Sequence, residues 1–157
     1  ALRVVGRVAA LFYHLTRSPA ESLLPVLIDR SLKAGWRVAV RGTRPDRLAW
    51  LDERLWLEPE DGFLPHGLLG GEWDAAQPVL LTPGPVTNGA RCLMCIDGAE
   101  AEPEEAATLD RVCILFDGTD PGAVEGASGQ WRRLTGAGVS AQYWSEESGR
   151  WEKKAES

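Results

Sequence analysis

Three cysteines, two histidines and a run of aspartates are the residues of this sequence with the most obvious chemistry to offer. Cys92-Leu93-Met94-Cys95 has the spacing of half a zinc site or of a redox pair, and Cys113, His14 and His66 are the remaining thiol and imidazoles that could complete a metal centre. A redox pair usually opens a helix whose N-terminus lowers the thiol pKa, whereas this pair lies in an apolar run that reads as a strand. Side chains at i and i+3 of a strand point to opposite faces, so Cys92 and Cys95 are expected to be separate, buried thiols. His66, in Phe63-Leu64-Pro65-His66-Gly67, titrates in the range of a general base, yet nothing near it in sequence resembles a nucleophile with an orienting acid. A small enzyme built on His66 and Cys92 or Cys95 is the catalytic alternative; a loop histidine bonded to backbone is the plainer one. Asp110, Asp117 and Asp120 could bind a divalent cation, but the calcium-loop spacing and its glutamate are missing, and Asp120 is better explained as a helix cap.

The other candidates suit binding. Phe63 stands between Glu60-Asp61 and Pro65, where a large ring either packs inward or lines a pocket. Trp131, Arg132 and Arg133 adjoin on one helix: the indole offers apolar area and the guanidinium groups offer forked donors for carboxylates. Core packing is the other account of Trp131, and interaction with the helix C-terminal dipole the other account of the arginines.

The elements that must position these residues follow a regular alternation. Ala9 to Leu15 reads as a buried first strand. Ser18, Pro19 and Glu21 form a capping-box pattern ahead of a helix with Leu23, Leu24, Leu27, Ile28 and Leu32 on its apolar face, a kink expected at Pro25, and Gly35 as the stop. A strand at Trp36 to Arg41 and a helix opened by Pro45 and Asp46 come next. Glu58 to Gln77 breaks the rhythm with four glycines and two prolines and is expected to be a long surface loop. Short strands at Val79 to Thr82 and Arg91 to Asp97, a short helix at Glu104 to Asp110 and a central strand at Val112 to Phe116 follow. Asp120 caps a last helix carrying Val124, Ala127, Trp131 and Leu134, and Val139 to Trp144 is the final strand before a polar tail with Trp151. Such alternation predicts right-handed crossovers and a mostly parallel α/β sandwich. A nucleotide is not predicted with it: no G-x-x-x-x-G-K-[ST] occurs, and the turn after the first strand, Thr16-Arg17-Ser18-Pro19, has no glycine to admit a pyrophosphate.

At 157 residues, 44% hydrophobic and 25% charged, the chain has one domain's worth of length and ordinary globular proportions, with no run long enough to span a membrane. Its net charge of −6 argues against a protein that mainly grips a phosphate backbone. The charge is uneven, however. Residues 1–50 hold nine basic and three acidic groups, and residues 51–157 hold eight basic and twenty acidic, so direct DNA binding by the positive half is a further reading. Three cysteines cannot pair completely, which points to a reducing, cytoplasmic setting.

The ordered series Phe12-Tyr13-His14-Leu15, Gly35-Trp36-Arg37-Val38-Ala39-Val40, Leu51-Asp52-Glu53-Arg54-Leu55-Trp56, Phe63-Leu64-Pro65-His66-Gly67 and Pro78-Val79-Leu80-Leu81 closely resembles the chi subunit of bacterial DNA polymerase III. Trp131-Arg132-Arg133-Leu134, Ala137-Gly138-Val139 and Trp151 extend the resemblance, which covers roughly Ala9 to Lys153 of a single domain spanning 1–157. It implies a three-layer, Rossmann-like α/β sandwich of the mononucleotide-binding type, with no phosphate loop, no catalytic centre, no cofactor and no metal. It implies a non-catalytic subunit, associated with the clamp loader, that pairs with a psi subunit and holds the acidic, phenylalanine-terminated tail of the single-stranded DNA-binding protein. The tail site carries over to Phe63, Trp131 and Arg132. A further basic residue of the family, one turn earlier, is Ser128 here, with Arg133 available to compensate.

Overall fold

The computed structural model describes residues 8–57, 67–68 and 77–157. Its element order is β1 (Ala10–Leu15), α1 (Ala20–Lys33), β2 (Val38–Arg41), α2 (Pro45–Leu57), β3 (Gly67–Leu68), β4 (Val79–Thr82), β5 (Cys92–Cys95), α3 (Pro103–Thr108), β6 (Arg111–Asp117), α4 (Pro121–Gly136), β7 (Ala141–Ser145) and β8 (Glu152–Glu156). The strands form one sheet in the order β3-β4-β2-β5-β6-β1-β7-β8. Every pairing in it is parallel except β7 with β8.

Because side chains alternate across a strand, the sheet feeds two cores. Leu15, Val38, Val40, Leu81, Met94 and Leu115 meet α1 and α2 through Leu24, Ile28, Leu48 and Leu51. On the opposite face Ala10, Phe12, Ala39, Leu93, Val112 and Ile114 meet α3 and α4 through Ala106, Ala127 and Leu134. Three layers result, as the alternation of the sequence predicts. With both faces covered, inner strands read as continuous apolar runs, which is why VCILF of β6 sits between β5 and β1.

Helix starts show both a match and a correction. The Asp120 carboxylate accepts the Gly122 amide at 2.9 Å and Pro121 opens α4, as expected. At α1 the expected serine cap is absent: Pro19 occupies the cap position with no side-chain bond, and the Ser18 hydroxyl donates instead to the Glu146 carboxylate at 2.6 Å. Glu146 is buried and also accepts the Arg17 amide, so Ser18 is drawn off to satisfy a charge that would otherwise be stranded. The helix runs on through Pro25.

Two strands escape sequence patterning. The long segment after α2 contains β3, and the polar tail folds back as β8, whose residues EKKAE are mostly exposed. An edge strand with charged side chains carries no alternating apolar signal.

At the C-terminal end of the sheet Gly118 closes tightly against β1. A Cβ there would lie 2.2 Å from Cδ2 and Nε2 of His14. The imidazole cannot move aside, because it is hydrogen-bonded to Ser145 Oγ at 3.1 Å and stacked on Phe116 at 5.3 Å. Gly118→Ala is therefore expected to lower stability by about 1–3 kcal/mol in a denaturant melt, as overpacking does; an unchanged midpoint would mean that this contact is not rigid.

Candidate functional site

β1 and β6 are neighbours whose following helices leave in opposite directions, α1 towards β2 and α4 over β1 towards β7. Open α/β sheets place their ligands at such a switch point. A cleft of about 710 Å³ lies there, between the first turns of α1 and α4. Its lining includes Glu21, Asp97, Asp117 and Asp120 beside Arg44 and Arg47. Arg47 is engaged by Glu21 and Asp97 at 3.4 Å each, and Arg44 by Asp46 at 3.1 Å. With the cations paired and carboxylates remaining, the lining opposes a polyphosphate, in keeping with the missing phosphate loop.

The cysteines lie as strand geometry requires. Cys92 belongs to one core and Cys95 to the other, and all three thiols are buried. Burial pushes the Cys95 thiol up to about 12, far from a reactive thiolate. Sequence reasoning missed that Cys113 shares the face of Cys92, and the interaction of the two neighbouring thiols holds the Cys92 pKa below its ordinary value. His66 lies outside the described residues. His14 instead meets Ser145 directly opposite it in the β1–β7 register, a pairing of residues 131 apart that no local pattern signals. Ser145 is 1% exposed and accepts the Glu147 amide, so it ties strands together and is out of reach of a substrate. Asp110 is paired with Arg91 at 2.8 Å, Asp117 accepts from Thr119, and Asp120 is the α4 cap. Among the described residues no three carboxylate, thiol or imidazole groups gather as a metal site.

The surface around the second half of α4 is built differently. Trp131 is half-buried, with its ring edge-to-face against Phe12 at 5.3 Å and Tyr143 at 6.1 Å. One side of Trp131 therefore completes the core, and the rest of the indole remains accessible. Tyr143, also partly exposed, extends the aromatic surface onto β7, and the sequence analysis did not single it out. Arg132 is exposed and has no ion-pair or hydrogen-bond partner among the described residues. Its Nη2 lies 4.0 Å from where a Gly129 side chain would begin, so its charge reaches back over the preceding turn, the turn of Ser128. Arg133 faces elsewhere. It donates to the Ala101 carbonyl at 3.2 Å and lies 3.9 Å from both Glu100 and Glu102. Phe63, the fourth residue expected here, lies outside the described residues.

The loop that engages Arg133 is itself anchored. Arg41, at the end of β2, forks onto Glu105 of α3 at 2.8 and 2.6 Å and donates to the Gly84 and Glu100 carbonyls. This places a cation and a carboxylate in a bidentate pair behind the α4 surface.

A family model for the DNA polymerase III chi subunit, HolC, matches residues 8–142. The chain belongs to this family. No curated protein matches it beyond that. Membership of the chi family makes it a replication accessory subunit of the polymerase holoenzyme, with partners among replicase proteins. The match takes in β1 through α4 and the opening of β7, and so includes Trp131, Arg132 and Arg133. No helix among the described residues is long and apolar enough to cross a membrane.

The Arg41 hydrogen bonds hold the Glu105 carboxyl below its ordinary pKa. A carboxyl with a depressed folded pKa stabilises the fold above its unfolded value, and that contribution is lost as pH falls through the folded one. Glu105→Gln should lower the melting temperature at pH 7 and make stability fall less steeply than in the wild type below about pH 4. Parallel acid limbs in the two proteins would contradict this role.

Proposed function

We propose that this chi-family chain is a non-catalytic subunit that binds the acidic, phenylalanine-terminated tail of the single-stranded DNA-binding protein through the α4 surface. By doing so it links the clamp-loader assembly of the replicase to coated single-stranded DNA, with a psi subunit as the further partner. The observation that carries the reading is the pairing of an uncommitted cation with accessible aromatic area: Arg132 has no partner among the described residues, and it adjoins Trp131. A terminal carboxylate suits the forked guanidinium, and the final phenylalanine ring suits the edge of Trp131 and Tyr143, with Phe63 as a further wall. Arg133 serves tail aspartates only by giving up its contacts with the α3 loop, so Arg132 carries the larger part. In a chain of net charge −6 such recognition is local, and its association rate falls with added salt.

The reading also accounts for the groups that do not act. The thiols Cys92 and Cys95 are sealed in two cores, and Ser145 beside His14 is buried, so none of these three groups is an accessible nucleophile.

Calorimetry with a peptide copying the tail tests it. Binding is expected at low salt, weakened at least tenfold by Arg132→Ala and by amidation of the peptide's terminal carboxylate. Arg132→Ala should melt within about 0.5 kcal/mol of the wild type, since it removes an exposed side chain. Absence of heat at low salt, or equal affinity in Arg132→Ala, would overturn the assignment.

A further inference from the structure

On the opposite face of the sheet from Trp131, a second cavity opens between the C-terminal half of α1 and the strands β1 and β6. It measures about 130 Å³, below the roughly 300–1,000 Å³ of sites for drug-sized ligands. A nucleotide or a stretch of peptide does not fit; a compact group does.

Two guanidinium groups line it, from Arg30 and Arg111. Arg111 opens β6, is partly buried, and lies with its guanidinium carbon 5.4 Å from the centre of the Trp36 ring. Its Nε is sealed from solvent without a hydrogen-bond partner. Among the described residues no carboxylate or carbonyl accepts from the side chain of either arginine. The contrast within this chain is clear: Arg41, Arg47 and Arg91 each hold a carboxylate, and Arg17, Arg37 and Arg133 donate to carbonyls. The carboxylate nearest in sequence, Asp110, is engaged by Arg91. The sealed Nε marks a guanidinium that nothing in the chain fixes, and the terminal nitrogens of Arg111 and Arg30, also without a protein acceptor among the described residues, are the groups an anion in the cavity would take.

The rest of the lining sorts the anions. Tyr13, packed edge-on to Trp151, reaches the cavity, and burial raises its phenol pKa so that it remains a hydrogen-bond donor. The Ser31 hydroxyl is not such a donor, because it donates to the Leu27 carbonyl at 2.9 Å. Leu27, Ala34 and Met94, which offer no polar side-chain group, complete the wall together with the buried Cys113 thiol. Donors at one part and apolar surface at the other select an anionic group carried on a short hydrocarbon stem.

We propose that the cavity bounded by Arg30, Arg111, Tyr13 and Trp36 is a binding site for a small monocarboxylate with a short apolar stem. The guanidinium pair holds the carboxylate, and the stem lies against Leu27, Ala34 and Met94. Inorganic phosphate has no stem to cover Leu27, Ala34 and Met94 and would turn oxygens towards that apolar wall, so it is disfavoured. The site shares no residue with the α4 surface and does not depend on how that surface is used.

The test is NMR of the full chain, following the Arg111 Nε–H resonance during titration with butyrate, with 1-butanol and inorganic phosphate as comparisons. Butyrate should shift the resonance saturably, 1-butanol should leave it in place, and phosphate should bind more weakly than butyrate. Arg111→Gln should abolish butyrate binding, read by calorimetry. Arg30→Gln, on an exposed turn of α1 and so expected to fold, should weaken it about tenfold, the loss of one charge-assisted hydrogen bond. An unmoved resonance at saturating butyrate, an equal response to 1-butanol, tighter binding of phosphate, or undiminished affinity in Arg30→Gln would each overturn the proposal.

Discussion

β1 lies inside the sheet, hydrogen-bonded to β6 on one side and β7 on the other, and both of its faces are covered. That double burial is the constraint on which the molecule depends. Alternate residues of six must serve two cores. Phe12 meets Trp131 of α4, and Tyr13 meets Trp151 on the other face. His14 finds Ser145, and Leu15 ends the strand where the chain turns away at the switch point. A single residue's slip in register would exchange the faces and break all of these contacts together.

The same constraint governs polar groups. The chain has no water to offer a charge inside, so charges reaching the sheet ends are matched: Arg41 with Glu105, Arg47 with Glu21 and Asp97, and Glu146 with Ser18. Against that background the unmatched cations stand out. Arg132 on one face and Arg30 with Arg111 on the other are among them, and unlike the exposed Arg150 they lie beside aromatic rings or a cavity. Net charge predicts little about partners here; the placement of unpaired guanidinium groups beside aromatic rings predicts more.

Much of the fold is legible in sequence because local signals agree with tertiary context. Asp120-Pro121 starts a helix, VCILF is an inner strand, and the i, i+3 cysteines fall on opposite faces. The failures have physical reasons. Ser18 has the right spacing for a cap, but a buried carboxylate 128 residues away is the stronger acceptor. EKKAE pairs as β8 through its backbone and a Gln142 to Glu156 side-chain hydrogen bond, leaving no hydrophobic pattern to read. At the candidate site Trp131 and Arg132 are recognisable from residue type and family resemblance. The engagement of Arg133 by the α3 loop, and the presence of Tyr143 beside Trp131, depend on contacts between distant segments and have no local signature. Phe63 and His66 lie outside the described residues.

The central claim is that the chi-family chain presents a peptide-binding surface at α4, on the face opposite the Arg111 cavity. Backbone amide mapping of the labelled full chain with the tail peptide addresses this most directly. The account predicts perturbations concentrated on residues 128–135 of α4 and on β7 around Tyr143, with α1 and the start of β6 unmoved. Perturbations centred on Arg30 and Arg111, or none at saturating peptide, would contradict it.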